Sequence, residues 1–226
     1  MNELHLFAGA GGGILAGHLL GHRCIGAVES SAFAQSILFA RRRDGSLPAF
    51  PVFGDIRTFD ARPYRGRADI VAGGFPCQAY SSASRGRSVA DDLWPEMRRV
   101  VADVAPRYVF AENTQRRAID RAAEDLEAMG YSVRCVPLSA SNMGADHIRQ
   151  RYWLLAHADL HGELRGGVDA EASMCSRIYQ GVWQTHTNES RMADGLADRL
   201  ERLIATGNGQ VPIVAATAFA TLAAMF

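Results

Sequence analysis

The sequence predicts an α/β protein built on a doubly wound, mostly parallel sheet with helices on both faces. From Glu3 to Ala156, short apolar runs of strand length alternate with segments whose apolar residues recur at helical spacing. A glycine-rich turn also follows the first apolar run, as is typical of the strand-to-helix connections of such folds. Strands are predicted near residues 3–7, 23–28, 50–53, 69–72, 108–111, 132–137 and 152–156.

Helices are predicted between these strands and again at the end of the chain. Helical spacing of apolar residues marks Ser31–Arg42, Asp92–Val104 and Ala118–Met129. The spacing fades after His157 into a polar stretch, returns at Ala193–Ala205 and continues in an alanine-rich helix from Pro212. We therefore divide the chain into a core over 1–158, a short excursion over 159–192 and a returning segment over 193–226.

Composition limits the class of protein without selecting a function. The 226 residues suffice for one compact domain, and the formal net charge is zero. No lysine occurs, so any nucleic-acid contact must come from local arginine clusters. The four cysteines form no CxxC pair, which disfavours a zinc site or a disulfide scaffold and favours a reducing cytoplasm. No window has the apolar length of a membrane span, and we expect neither export nor a membrane anchor.

The glycine-rich turn and a later acidic residue point to a nucleoside-bearing cofactor. Residues 4–13 read LHLFAGAGGG, and glycines in such a turn let a ligand approach the backbone. Glu29 falls 22 residues after Phe7, at the end of the second predicted strand, where a carboxylate can accept hydrogen bonds from a ribose. A tight turn with an incidental surface glutamate is the structural alternative. Gly54-Asp55-Ile56 follows the third strand, so Asp55 is expected at the same edge.

Two further segments place reactive side chains at this edge of the sheet. Residues 73–81 read GGFPCQAYS and put Cys77 on a loop directly after the fourth predicted strand. Glu112 ends the next strand, so a cysteine nucleophile and an acid would face one pocket. Most cysteines are inert and buried. The combination with the cofactor turn makes these two residues candidates for catalysis.

The last two motifs lie nearer the end of the chain. Residues 147–151 read HIRQR, and alternation along a strand would place Arg149 and Arg151 on one face. Residues 207–212 read GNGQVP, just before the terminal helix. Taken alone, residues 147–151 would indicate two solvent-exposed arginines, and residues 207–212 would indicate a turn that caps a helix.

In type, order and approximate spacing, these segments resemble the motifs of the DNA cytosine-C5 methyltransferase family, from Leu4 to Ala156 and again from Gly207. The resemblance implies a fold of the S-adenosylmethionine-dependent methyltransferase (Rossmann-like) type with a reduced target-recognition region. It implies S-adenosyl-L-methionine as cofactor, no metal, and methylation of carbon 5 of a flipped-out cytosine in double-stranded DNA, as in restriction–modification enzymes.

The resemblance also assigns roles to individual residues. Cys77 would be the nucleophile and Glu112 the acid. Arg151 would contact the cytosine, and Arg149 would contact phosphate or the catalytic loop. The residues assigned to the cofactor are Phe7, Ala8, Gly9, Gly11, Gly12, Glu29, Asp55, Ile56, Pro76, Leu93 and Asn208.

Several positions depart from the family pattern. His5 stands where aspartate is usual, Ser30 where a large residue is common, and Thr114 where valine is usual. The span from Asp159 to about Ser190 is much shorter than the usual target-recognition region. Either the recognised DNA sequence is short, or recognition uses a partner chain.

Three alternatives are left open by the sequence. An RNA cytosine methyltransferase would share the fold, but the Cys-Phe-Thr segment of the tRNA-modifying branch does not occur here. A non-catalytic nucleic-acid-binding relative would not need Cys77, Glu112, Arg149 and Arg151 together. A nicotinamide-dependent dehydrogenase would explain the glycine turn and Glu29 but not the Pro-Cys-Gln loop.

Overall fold

The computed structural model describes residues 1–76, 92–145, 148–158 and 209–226. Its strands are β1 (Asn2–Leu6), β2 (Arg23–Val28), β3 (Val52–Phe53), β4 (Ile70–Gly74), β5 (Tyr108–Asn113), β6 (Tyr131–Ser139) and β7 (Gln150–Ala158). Its helices are α1 (Gly12–Leu19), α2 (Ala32–Arg43), α3 (Trp94–Val104), α4 (Arg116–Ala128) and α5 (Pro212–Ala223), with short 3₁₀ turns at Arg62–Tyr64 and Ala140–Met143.

The seven strands form one sheet in the order β3-β2-β1-β4-β5-β7-β6. The first five are parallel, whereas β7 runs antiparallel to both β5 and β6. Successive crossovers run outward from β1 to one side and from β4 to the other, so the strand order reverses between these two strands. Ligands of open α/β sheets bind outside the carboxyl ends of the strands at such a reversal.

Two layers of helices cover the sheet. On one face, α3 and α4 pack Trp94, Val100 and Leu126 into the main apolar core. On the other face, α1 and α5 form a second core with Phe110 and Trp153 of the sheet. Helix α5 is buried on nearly every side, which its alanine-rich sequence allows because small side chains let helices approach closely. The doubly wound, mostly parallel architecture predicted from the sequence is confirmed.

The predicted strands and helices are confirmed with small differences at their ends. Strand β5 extends to Asn113, so Glu112 lies within the strand and does not follow it. Helix α3 begins at Trp94 instead of Asp92, because Pro95 occupies the first turn and Asp92 Oδ1 accepts the Trp94 amide at 3.1 Å. The predicted helix over 193–205 and the excursion over 159–192 lie outside the described residues, and the division into three segments stays a prediction. Among the described helices, none has both the length and the apolar character needed to cross a bilayer.

Candidate active site

The glycine-rich turn after β1 has a backbone shape that few sequences adopt. Phe7, Gly9 and Gly11 have φ angles of 54°, 53° and 91°. Positive φ is uncommon for a residue such as Phe7, and strained positions of this kind concentrate at ligand-binding turns. The Ala8 amide donates to the Val28 carbonyl at 3.1 Å, which ties the turn to the end of β2. Gly11 then caps α1 without a side-chain hydrogen bond.

Glu29 braces this turn from the end of β2. One carboxylate oxygen accepts the Gly9 amide at 2.7 Å and the other accepts the Ser31 amide at 2.7 Å. A carboxylate has about four lone-pair positions, so these two bonds leave acceptors for a ligand. Glu29 is therefore oriented by the backbone, and its predicted contact with a ribose stays a prediction.

Asp55 and Ile56 follow β3 at the same edge but differ in exposure. Asp55 is exposed, and its Oδ1 accepts the Arg57 amide at 2.9 Å. Ile56 is 4% exposed and packs in the main core, with its carbonyl bonded to Arg99 at 2.6 Å. The Asp55 side chain is thus available to a ligand, whereas Ile56 chiefly shapes the wall behind it.

Buried polar contacts hold both ends of the segment that carries Cys77. Asn113 donates through Nδ2 to the Phe75 carbonyl at 2.8 Å, and Asn113 is 5% exposed. On the far side, the Leu93 amide donates to the Pro76 carbonyl at 3.2 Å. Cys77 itself lies within residues 77–91, outside the described residues. The described chain nevertheless enters that segment from Pro76, beside the end of β5.

Glu112 is a buried carboxyl that faces two arginines. It is 6% exposed, and its Oε1 lies 3.0 Å from Arg151 Nε. Its Oε2 lies over Gly74, where a β-carbon would approach it to 2.6 Å, so a glycine is required there. Burial raises the pKa of the Glu112 carboxyl, and this outweighs the opposite influence of Arg151, a hydrogen bond from Gln210, and Arg149. The protonated form is therefore accessible nearer neutral pH than for an exposed glutamate.

Arg149 contacts the returning C-terminal segment. Its Nη2 donates to the Gly209 carbonyl at 2.6 Å, and its own amide donates to Ser139 Oγ at 3.2 Å. Partial burial lowers the pKa of Arg149 from its usual value, aided by Arg151 and opposed by Glu112. Strand β7 begins at Gln150, so Arg149 precedes the strand on which both arginines were predicted to share a face, and only Arg151 lies on it. Both arginines nevertheless lie close enough to Glu112 to influence its pKa.

The C-terminal segment lies directly against the start of α1. A β-carbon at Gly12 would come within 2.1 Å of the Gln210 carbonyl oxygen, and one at Gly13 within 2.5 Å of Gln210 Oε1. The glycines are needed here for close packing of one segment on another, in addition to any contact with a ligand. Asn208, predicted to bind cofactor, lies outside the described residues.

His5 belongs to a buried polar cluster below the turn. Its Nε2 lies 2.7 Å from Glu3 Oε2, and His22 Nδ1 lies 2.7 Å from Glu3 Oε1. Burial raises the pKa of Glu3, but the two imidazoles more than compensate and hold it at about 2. His5, which stands where aspartate is usual, is therefore paired with the buried carboxylate of Glu3, two residues earlier in the chain.

The two cysteines that lie within the described residues, Cys24 and Cys135, are poorly suited to nucleophilic attack. Burial raises the pKa of the Cys24 thiol to about 12. Desolvation, with Asp120 and Glu127 nearby, raises that of Cys135 to about 11. Because the thiolate is the reactive form, both are largely unreactive near neutral pH.

Three contributors to the site were missed by sequence reasoning: Asn113, Gln210 and Glu3. Asn113 could have been found, since an amide directly after Glu112 in an apolar strand needs a buried partner. Glu3 could have been found from the same rule, as a carboxyl in a strand otherwise buried. Gln210 and Glu112 are far apart in the chain, and no local sequence pattern predicts that they lie close together.

Solved structures with a similar fold include methyltransferases. A putative DNA modification methyltransferase encoded within a prophage of E. coli aligns with a TM-score of 0.54 and 26% identity, covering 70% of this chain and 47% of that one. The Dnmt2 methyltransferase of S. pombe aligns with a TM-score of 0.58 at 19% identity, covering 84% of this chain and 58% of that one, and so shows the fold alone. The fold of this chain is thus similar to that of these α/β methyltransferases.

Residues 1–199 match the family model of C-5 cytosine-specific DNA methylases, and the chain belongs to this family. The Type II methyltransferase M.Eco47II of Escherichia coli is 33% identical over 129 residues, which are 56% of this chain and 30% of that protein. The Type II methyltransferase M.NgoMIV of Neisseria gonorrhoeae is 29% identical over 164 residues, 68% of this chain and 51% of that protein. The matches thus cover about half, or less, of the length of these relatives.

Proposed function

We propose that the chain transfers a methyl group from S-adenosylmethionine to carbon 5 of cytosine in DNA, with Cys77 adding to carbon 6 of a flipped-out base. One observation carries the proposal: Glu112, a buried carboxyl with a raised pKa, is paired with Arg151 beside the chain that leads into Cys77. An acid and a nucleophile next to the cofactor turn are what this reaction requires.

Carbon 5 of cytosine is a weak nucleophile and must first gain electron density. The Cys77 thiolate supplies it by forming a bond to carbon 6, while Glu112 donates a proton to N3, where negative charge would otherwise develop. The cofactor, when bound, provides an electrophilic methyl group for carbon 5. Loss of the carbon 5 proton to a base then restores the ring, as the bond to carbon 6 breaks, Cys77 leaves as thiolate and N3 returns its proton to Glu112.

The cofactor turn fits a nucleoside with an amino-acid tail. Space above Gly9 is open, since a β-carbon built there meets no atom within 4 Å. Glu29 retains acceptors for ribose hydroxyls, and Asp55 is exposed at the same edge. Phe7, Ala8, Gly11 and Gly12 would line the turn, with Pro76, Leu93 and Asn208 closing the other side.

The substrate would be double-stranded DNA with the target nucleotide out of the stack. A stacked base exposes neither face of carbon 6 to attack, so flipping must precede the reaction. Arg151 would hold the flipped cytosine beside Glu112, and arginines elsewhere would bind phosphates. The short excursion over 159–192 would read the sequence, alone or with a partner chain, and a reducing cytoplasm would keep Cys77 free.

The experiment that tests this proposal is tritium transfer from labelled S-adenosylmethionine to DNA by wild type, Cys77→Ala and Cys135→Ala. We expect Cys77→Ala to abolish transfer and Cys135→Ala, on the distant edge strand β6, to retain it. DNA containing 5-fluorocytosine blocks the final proton loss, so wild type but not Cys77→Ala should form a denaturant-resistant adduct. Near-normal transfer by Cys77→Ala would refute the mechanism.

Two controls separate the alternative functions. Calorimetry should detect S-adenosylmethionine but not a nicotinamide dinucleotide, and the reverse result would favour a dehydrogenase. Transfer to RNA in place of DNA, under the same conditions, would move the protein to the RNA-modifying branch.

A further inference from the structure

Gln210 lies between the cofactor turn and Glu112. On one side its Oε1 approaches the position that a β-carbon of Gly13 would take, at 2.5 Å. On the other side, its Nε2 lies 3.3 Å from the position that a β-carbon of Gly74 would take. Glu112 Oε2 lies 2.6 Å from the same position. The amide lies close enough to the Glu112 carboxyl to lower its pKa, against the effect of burial. A single side chain therefore connects the start of α1 with the candidate acid.

The backbone around Gln210 is fixed from three directions. The Arg149 guanidinium holds the Gly209 carbonyl at 2.6 Å. The Gln210 carbonyl packs against Gly12 at the start of α1, and Pro212 begins α5 two residues later. With both its backbone and the far end of its side chain packed, the amide has little freedom to leave Glu112.

The two carboxyl oxygens of Glu112 have different neighbours. Arg151 on β7 binds Oε1, and Arg149 adds positive charge from the residue before that strand. Next to Oε2 lies Gly74 of β4, which has no side chain. Among the described residues, Gln210 brings an uncharged amide to this oxygen. Gln210 also lines a small cavity together with His5 and Glu3.

We propose that Gln210 is a positioning residue for Glu112, whose carboxyl its amide orients beside the place of the base. The proposal rests on the proposed function. An amide N–H donates to a carboxylate oxygen more strongly than to a protonated carboxyl, so this contact favours the ionised form. Gln210 thereby opposes part of the rise in the pKa of Glu112 that burial causes, and burial still favours the protonated form that donates to N3.

The first experiment measures Glu112 without any enzymatic assay. The carboxyl ¹³C signal of Glu112, assigned by its loss in Glu112→Gln, is titrated by NMR in wild type and Gln210→Met. Methionine keeps the length of the side chain but cannot donate, so the midpoint should rise by about one pH unit. Gln115→Met is the matched control, since the Gln115 side chain does not cap α4, and its midpoint should equal that of wild type.

The second experiment measures single-turnover methyl transfer against pH. Gln210→Met should slow transfer about tenfold and move the high-pH limb of the profile upward, with the KM for S-adenosylmethionine nearly unchanged. In a Glu112→Gln background, Gln210→Met should have no further effect. If Gln210→Met does not fold, Gln210→Asn replaces it, since its shorter amide should not reach Glu112.

The outcomes separate the two proposals. An unchanged Glu112 midpoint in a folded Gln210 variant overturns the role of Gln210, whether or not the enzyme is active. If Gln210→Met raises the midpoint of the Glu112 titration but wild type transfers no methyl group, the proposed function is overturned and the role of Gln210 at Glu112 stands. A slower rate that persists in the Glu112→Gln background would show that Gln210 acts on another group and would also overturn the proposal.

Discussion

Glu3 is a carboxylate that the fold buries and keeps charged. It is 4% exposed, and each of its oxygens lies 2.7 Å from an imidazole nitrogen, of His5 or of His22. A buried charge is tolerated only when it is paired and hydrogen-bonded, and here both requirements are met. Removal of the carboxylate would leave two buried imidazoles without this partner.

We predict that Glu3→Gln destabilises the protein in a pH-dependent way. Because the pKa of Glu3 is lowered to about 2 in the folded state, its contribution is complete above the ordinary pKa of about 4.5. It is lost as the pH falls from there towards 2. The free energy of unfolding in urea should differ by on the order of 3 kcal/mol near neutral pH, and the difference should shrink towards about pH 3. The exposed Glu124→Gln is the control; a difference independent of pH would contradict the charge-based explanation.

Single residues of the site were predictable where their neighbours in sequence identify them. Glu29 could be predicted because its distance from the glycine turn places it at the end of β2, and the structure bonds it to Gly9. The partner of Arg149 could not be predicted, because Gly209 is brought to it only by the return of the C-terminal segment. Contacts made across the fold depend on packing that local sequence does not encode.

At the scale of elements, helix α1 depends on a glycine in its interior. A β-carbon at Gly17 would come within 1.9 Å of Glu3 Oε2. Glycine normally weakens a helix interior by about 1 kcal/mol relative to alanine, so its presence here needs a packing reason. The buried Glu3 carboxylate supplies that reason, because it occupies the space that a side chain would take.

We therefore predict that Gly17→Ala lowers the free energy of unfolding by about 1–3 kcal/mol, despite its better helix propensity. Denaturant unfolding measures the change. Gly54→Ala is the matched control, since a β-carbon there meets nothing within 4 Å. The double variant Gly17→Ala with Glu3→Ala should be less destabilised than the sum of the singles. Strict additivity would show that the two residues do not compete for the same space.

The strands were predictable from apolar runs, but their directions were not all predictable. The residues of β4 and β5 are buried almost throughout, which gives continuous apolar stretches. Strand β7 is just as apolar in its centre, yet it runs antiparallel between two parallel neighbours. Direction depends on the preceding connection, and the turn from β6 through Ala140–Met143 is too short for a crossover helix.

If the excursion over 159–192 reads the DNA sequence, as proposed, its size limits the specificity. Roughly thirty residues separate the end of β7 from the returning segment, and each good bidentate contact discriminates a base by about 1–3 kcal/mol. Few such contacts fit, so we predict a methylated motif of roughly two to four base pairs. Bisulfite sequencing of DNA from cells expressing the chain measures it. One motif with six or more specified base pairs would place recognition in the core or in a partner chain.

The hydrogen bond between the Pro76 carbonyl and the Leu93 amide has a consequence for how such proteins change over time. The bond is 3.2 Å long and joins the two points between which residues 77–91 run. Each doubling of a connection closed at its base costs only about 0.6 kcal/mol in chain entropy. A change in the length of the chain between these points should therefore cost the sheet and its helices little free energy. Selection could then revise the length of the segment that holds the proposed nucleophile, Cys77, while the scaffold on either side stays the same.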